Sequence, residues 1–103
     1  MSLEELKVLL ETTGLPVAYR AFPETHAPSL PFICYLVSYS NNFDADDCVY
    51  QEITHINIEL YTKTKSPETE VVLENALSAF CWGKSEEYLE NEHCYEIIYE
   101  IEV

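Results

Sequence analysis

Four cysteines and three histidines are the residues of this 103-residue chain best suited to hold a metal or attack a substrate, and their spacing argues against both. Zinc sites usually draw ligands in closely spaced pairs, because a single turn must present two at once. Cys34, Cys48, Cys81 and Cys94 lie far apart, and the adjacent His93 and Cys94 point to opposite faces of any strand that carries them. A reactive thiolate wants a helix amino terminus or a fixed imidazole. Cys81 falls at the carboxyl end of an expected helix, Cys34 inside an expected strand, and Cys48 and Cys94 read as small buried hydrophobes. Reduced thiols are the expectation. Asp44, Asp46 and Asp47 suggest a calcium loop but lack its turn glycine and its closing glutamate in register, so they read as solvated turn carboxylates. His55 and Glu59 on one face of a strand could pair an acid with a base, although such faces are more often simply wet. The two glycines, Gly14 and Gly83, each serve a helix end, which leaves no phosphate-cradling loop. No catalytic group, metal or cofactor is expected.

Charge is the feature that remains. Nineteen acids against five bases give a formal charge of −14, which excludes generic binding to nucleic-acid phosphates. Residues 1–51 carry −5 and residues 52–103 carry −9, with no base after Lys84. Glu86, Glu87, Glu90, Glu92, Glu96, Glu100 and Glu102 would make the last hairpin strongly negative, with Glu96, Glu100 and Glu102 as a candidate acidic face. Such a face attracts a basic partner, or forms a wall past which DNA slides without sticking. Disorder is excluded by the aromatic content of 13%. The opening residues lack the basic and apolar regions of a secretory signal, and no apolar run approaches bilayer length, so a soluble, cytosolically made protein without membrane contact is expected.

The elements that must position these groups follow from periodicity. Ser2 and Glu5 form a capping box ahead of Leu3, Leu6, Leu9 and Leu10 at helical spacing, predicting a helix over residues 3–13 that Gly14 and Pro16 stop. Residues 17–22 read as a short strand, and Pro23, Pro28 and Pro31 force a loop or edge segment. Residues 32–39 read as a strand covered on both faces, 41–47 as a polar turn region, and 50–62 as a half-buried antiparallel strand. Ser66 and Pro67 start a second helix whose stripe is Val72, Leu73, Ala76, Leu77 and Phe80, ended by Gly83 after Trp82. Strands over 85–91 and 94–103 close a hairpin at 91–93, with Tyr95, Ile97, Tyr99, Ile101 and Val103 inward and the intervening glutamates outward. The order α-β-β-β-α-β-β predicts one α+β domain over residues 1–103, a mainly antiparallel sheet with two helices packed on one face.

Several segments together carry a resemblance: Leu3-Glu4-Glu5-Leu6-Lys7, Thr13-Gly14-Leu15-Pro16-Val17-Ala18-Tyr19, Ala27-Pro28-Ser29-Leu30-Pro31-Phe32, Asn41-Asn42-Phe43-Asp44-Ala45-Asp46, Ile58-Glu59-Leu60-Tyr61-Thr62 and the stretch from Tyr95 to Val103. The chain resembles a family of small tail completion or tail terminator-like proteins of Gram-positive phages and prophages. It departs from the family pattern after Phe43, where Asp47-Cys48 stands in place of a glycine. The resemblance implies a non-enzymatic structural protein of the head-tail joint or tail tube end. It would assemble with itself as a hexameric ring in the host cytoplasm, and dock to the major tail protein and head-tail connector proteins. Head-to-tail interfaces that close by rotation make rings, and long loops are common interface devices. The candidate interface residues are therefore Phe22, Pro28 and Pro31 in the proline segment and Phe43, Asp44, Asp46 and Tyr50 in the polar loop, with Tyr19 beside them. The alternative of another class is a small acidic inhibitor that mimics DNA in the basic cleft of a host nucleic-acid-binding protein.

Overall fold

In a computed structural model, the chain is described over residues 1–45 and 48–103, with side chains over 1–40 and 53–103. Among these residues α1 (Leu3–Glu11) and β1 (Val17–Tyr19) are followed by a single 3-10 turn, Glu24–His26. Then come β2 (Phe32–Ala45), β3 (Cys48–Thr62), α2 (Pro67–Ala76), β4 (Gly83–Leu89) and β5 (Cys94–Glu102). The five strands form one sheet in the order β1-β2-β3-β5-β4, parallel only between β1 and β2. This is the expected α+β arrangement.

The capping box forms at α1: the Ser2 hydroxyl accepts from the Glu5 amide at 3.1 Å, and the Ser2 amide donates to the Glu5 carboxylate at 3.0 Å. The helix stops two residues earlier than its pattern allows, because the Thr12 and Thr13 hydroxyls donate back to the Leu9 and Leu10 carbonyls. Gly14 then takes a φ of 82°, a conformation that a side chain strains. Leu6 and Leu10 of α1 and Leu73 and Leu77 at α2 pack on Ile33, Tyr35, Ile56, Ile58, Leu60, Ile97, Tyr99 and Ile101, so both helices cover one face of the sheet.

Three expectations are corrected. The strand expected over 17–22 ends at Tyr19, where Arg20 enters the left-handed region (φ 66°) and the chain leaves the sheet edge. The second helix ends at Ala76, well short of Trp82 and Gly83. Its exit is a tight turn with Phe80 N–H donating to the Leu77 carbonyl at 2.9 Å, and Gly83 is drawn into β4 opposite Glu100. Val72 does not join the buried stripe and stays 44% exposed, while Glu70, one turn before Leu73, is only 2% exposed. Finally, the polar stretch expected to be a loop from Asn41 to Tyr50 is strand on both sides. β2 and β3 stay paired from Asn41↔Ile53 to Ala45↔Cys48, with a register shift between Phe43 and Asp44. The polar sequence there shows no apolar alternation, which is why it read as a turn region.

This pairing makes an arm. β3 pairs with β5 only over His55–Thr62, and Thr54 exchanges its last two backbone bonds with Val103. Beyond that point, among the described residues, β2 and β3 have only each other. The arm adds about 17 Å at the usual strand rise, and the molecule measures 50 × 28 × 25 Å.

Candidate functional site

The acidic hairpin is built on β4 and β5, where the register brings Glu87 opposite Glu96 and Lys84 opposite Tyr99. Glu86, Glu87, Glu90, Glu92, Glu100 and Glu102 are exposed. Glu96 departs from the expected outward face: it is 9% exposed, and its carboxylate accepts from the Tyr61 hydroxyl at 2.7 Å. On the same face of the sheet, away from the helices, the chain after β1 packs back toward Tyr61. Phe22 rests edge-on against Phe32 at 5.1 Å between ring centres, and Phe32 lies tilted by 39° against Tyr61 at 5.2 Å. The segment leaves a cleft of about 500 Å³ lined by Phe22, Phe32, Cys34, Tyr61 and Leu89, with Arg20, Glu24 and Glu92 among the residues at its polar margin.

Beneath the cleft Tyr61 links two carboxylates, since its hydroxyl also contacts Glu59 at 3.1 Å. A phenol has one proton and can donate to only one of them. The shorter contact goes to Glu96, and the longer is satisfied when Glu59 itself carries a proton. Burial, then the charge of Glu96, pushes the Glu59 carboxyl above its usual value. Burial and the bonds and charges of the same two carboxylates push the Tyr61 phenol up. Cys34 beside them is pushed up to about 11 by burial and by Glu59 and Glu96, the opposite of what an attacking thiol needs.

On the helix side the negative charge is organised by two lysines. Lys65 contacts Glu70 at 2.7 Å and also binds Glu86, while Lys84 lies 2.7 Å from both Glu70 and Glu74. Tyr99 donates its hydroxyl to Glu74 at 2.7 Å. Burial alone would raise the Glu70 carboxyl, but its bonds to Lys65 and Lys84 hold it below the usual range. Glu74 is lowered by Lys84 and Tyr99. Two of the five bases thus tie α2 to β4 rather than neutralise the outer surface. Glu70 on the stripe of Leu73 and Leu77 was the sequence signal for this cluster, since a carboxylate at a core position requires cations within reach.

His55 and Glu59 do not form an acid-base pair. Glu59 belongs to the Tyr61 cluster, while His55 is buried beneath Tyr39 (3.9 Å between ring centres, 13° between planes) with Nδ1 at 3.6 and 3.8 Å from Glu100 and Glu102. Of the candidate interface residues, Phe22, Pro28 and Pro31 are partly buried, and Pro31 follows a cis peptide bond. The backbones of Phe43, Asp44 and Tyr50 lie in the arm; their side chains, and Asp46 altogether, lie outside the described residues. Cys34 and Cys94 are buried and Cys81 exposed, all three as free thiols. Among the described residues no group of three or more His, Cys, Asp or Glu side chains could hold a metal ion, and no helix is long and apolar enough to cross a membrane. No protein-family model matches the chain, and a search of curated proteins finds no match.

Proposed function

We propose that the chain is a structural subunit of a phage or prophage tail, a tail completion or terminator-like protein. In this reading it assembles as a ring at the head-tail joint or tube end and docks there to tail and connector proteins. The observation that supports this most is the β2–β3 arm. Two strands with no third neighbour are marginally stable in water, so an arm that extends past its own sheet suits a protein whose neighbour completes it. An arm on one flank and a different receiving surface on the other make a head-to-tail interface, which closes into a ring when the rotation allows. Exposed Glu100 and Glu102 suit a surface that DNA passes without adhering.

The test is solution mass by light scattering across protein concentration, on the full chain and on a variant in which residues 42–52 are replaced by Asn-Gly. That replacement closes the hairpin at the Asn41↔Ile53 pair with a favoured two-residue turn. The full chain is expected to grow from 11.9 kDa to a discrete oligomer of about six copies, alone or on the ends of isolated tail tubes seen by electron microscopy. The shortened chain is expected to stay monomeric and to keep a single cooperative thermal unfolding transition, since the core strands and both helices lie outside the replaced residues. A full chain that neither oligomerises nor binds tube ends refutes the reading. The exposed glutamates of the β4–β5 hairpin favour a second reading, the acidic inhibitor. It predicts a monomer that binds a host nucleic-acid-binding protein one to one and in competition with duplex DNA.

A further inference from the structure

The two edges of the sheet are unlike. β1 has three residues and ends at left-handed Arg20, which blunts it in the way proteins usually protect an edge. β4 has seven residues, no proline, and an uninterrupted register with β5 on one side. Among the described residues no strand pairs with its other side. That side presents backbone donors and acceptors able to receive another strand.

Charge selects the occupant. Glu87 in β4 and Glu90 and Glu92 just beyond it are exposed, whereas Glu86 is bound by Lys65 and Lys84 is engaged by Glu70 and Glu74. A second copy of β4 would set glutamates against glutamates, which destabilises a strand pair. The arm of a second copy would bring Asp44, Asp46, Asp47 and Glu52, no better a match. We propose that the open edge of β4 binds an extended, lysine- or arginine-rich segment of a partner protein as a sixth strand. Side chains on both faces fit this occupant. On the helix side Tyr88 is exposed and packed edge-on against Tyr95 at 4.9 Å between ring centres, offering a ring face to a cation. On the other side a cleft of about 370 Å³ beside Gly83 and Ser85 reaches Glu100. A Cβ at Gly83 would meet nothing within 4 Å, which leaves room for one long basic side chain. The proposal does not depend on the tail reading, since the edge and its charge belong to the single chain.

The test uses the full chain and three labelled nine-residue peptides: one alternating lysine with threonine, one of the same charge interrupted by two prolines, and one with glutamate for lysine. Fluorescence anisotropy at about 50 mM salt, where surface charge is weakly screened, reads binding, and hydrogen exchange reads its place. The alternating lysine peptide is expected to bind and to slow exchange of the β4 amides. Its affinity is expected to fall about tenfold in the Glu87→Gln/Glu90→Gln/Glu92→Gln chain and about tenfold with the proline-interrupted peptide, which cannot pair along its length. Equal binding of the proline peptide, binding of the glutamate peptide, or protection confined to residues 20–27 overturns the proposal. So does concentration-dependent protection of β4 in the chain alone, which would give the edge to a second copy. Ring assembly is read separately by mass, so the two readings fail independently.

Discussion

Replacing Glu59 by glutamine should stabilise the protein at neutral pH. Glu59 and Glu96 both contact the Tyr61 hydroxyl, at 3.1 and 2.7 Å, so their nearest oxygens lie no more than about 6 Å apart. At an effective dielectric of about 20, two unit charges at that separation repel by about 3 kcal/mol. Glu59 is partly exposed, and screening by water reduces the figure to about 1 kcal/mol. Glutamine keeps the shape, supplies the donor that the second contact requires, and removes the charge. Because the Glu59 carboxyl sits above its usual value when folded, its favourable contribution is complete below the unfolded value near 4 and is lost as pH rises through the folded value. Glu59→Gln should therefore gain about 1 kcal/mol at pH 7 and almost nothing at pH 4. Urea unfolding followed by far-ultraviolet circular dichroism reads this as a midpoint shift of roughly 0.7 M at unchanged slope. No gain at pH 7, or the same gain at both pH values, would refute the account in which burial and the Glu96 charge hold the Glu59 carboxyl above its usual value.

The lysine-linked carboxylates behave in the opposite sense: Glu70 and Glu74 are held low, so their stabilisation is present above the unfolded value and lost as pH falls through the folded one. Glu70→Ala should cost about 2 kcal/mol at pH 7, less than a fully enclosed ion pair because both lysines can rehydrate, and thermal melts at pH 7 and pH 3 should show the difference shrinking in acid. Leu73→Ala, at a fully buried position, should cost about 3 kcal/mol, whereas Val72→Ala one residue away should change stability by less than about 0.5 kcal/mol; parallel urea titrations check the contrast. In a Cys48→Ser background, a thiol reagent at pH 7.5 should modify exposed Cys81 promptly and reach Cys34 and Cys94 only as the chain unfolds, measured by absorbance with and without denaturant.

Elements with a one-dimensional signature were legible. The Ser2–Glu5 box, the Gly14 stop, the Ser66-Pro67 start and the alternation of Ile56, Ile58 and Leu60 placed both helices and the central strands close to where they lie. These signals survive because each depends on local backbone geometry or on which face of one element is apolar. The second helix was overextended because Phe80 and Trp82 continue an apolar pattern that the chain uses instead to turn toward the sheet edge. The arm was read as a loop because its polar residues carry no apolar alternation, while backbone pairing between β2 and β3, which composition does not encode, forms its strands.

Pairings between elements were not legible, because sequence separation does not encode register. Glu59, Tyr61 and Glu96 become one hydrogen-bonded cluster only when β3 and β5 align, and Glu96 is buried there although its position in the strand alternation faces away from the helices. Sequence by itself determined the fold class, the helix starts and the acidity of the final hairpin, since propensity, patterning and formal charge are properties of the chain alone. Tertiary structure decided which of those acids is bound by lysine, which is buried against a tyrosine hydroxyl and which face solvent, because desolvation and charge pairing depend on distances that exist only once the sheet has formed.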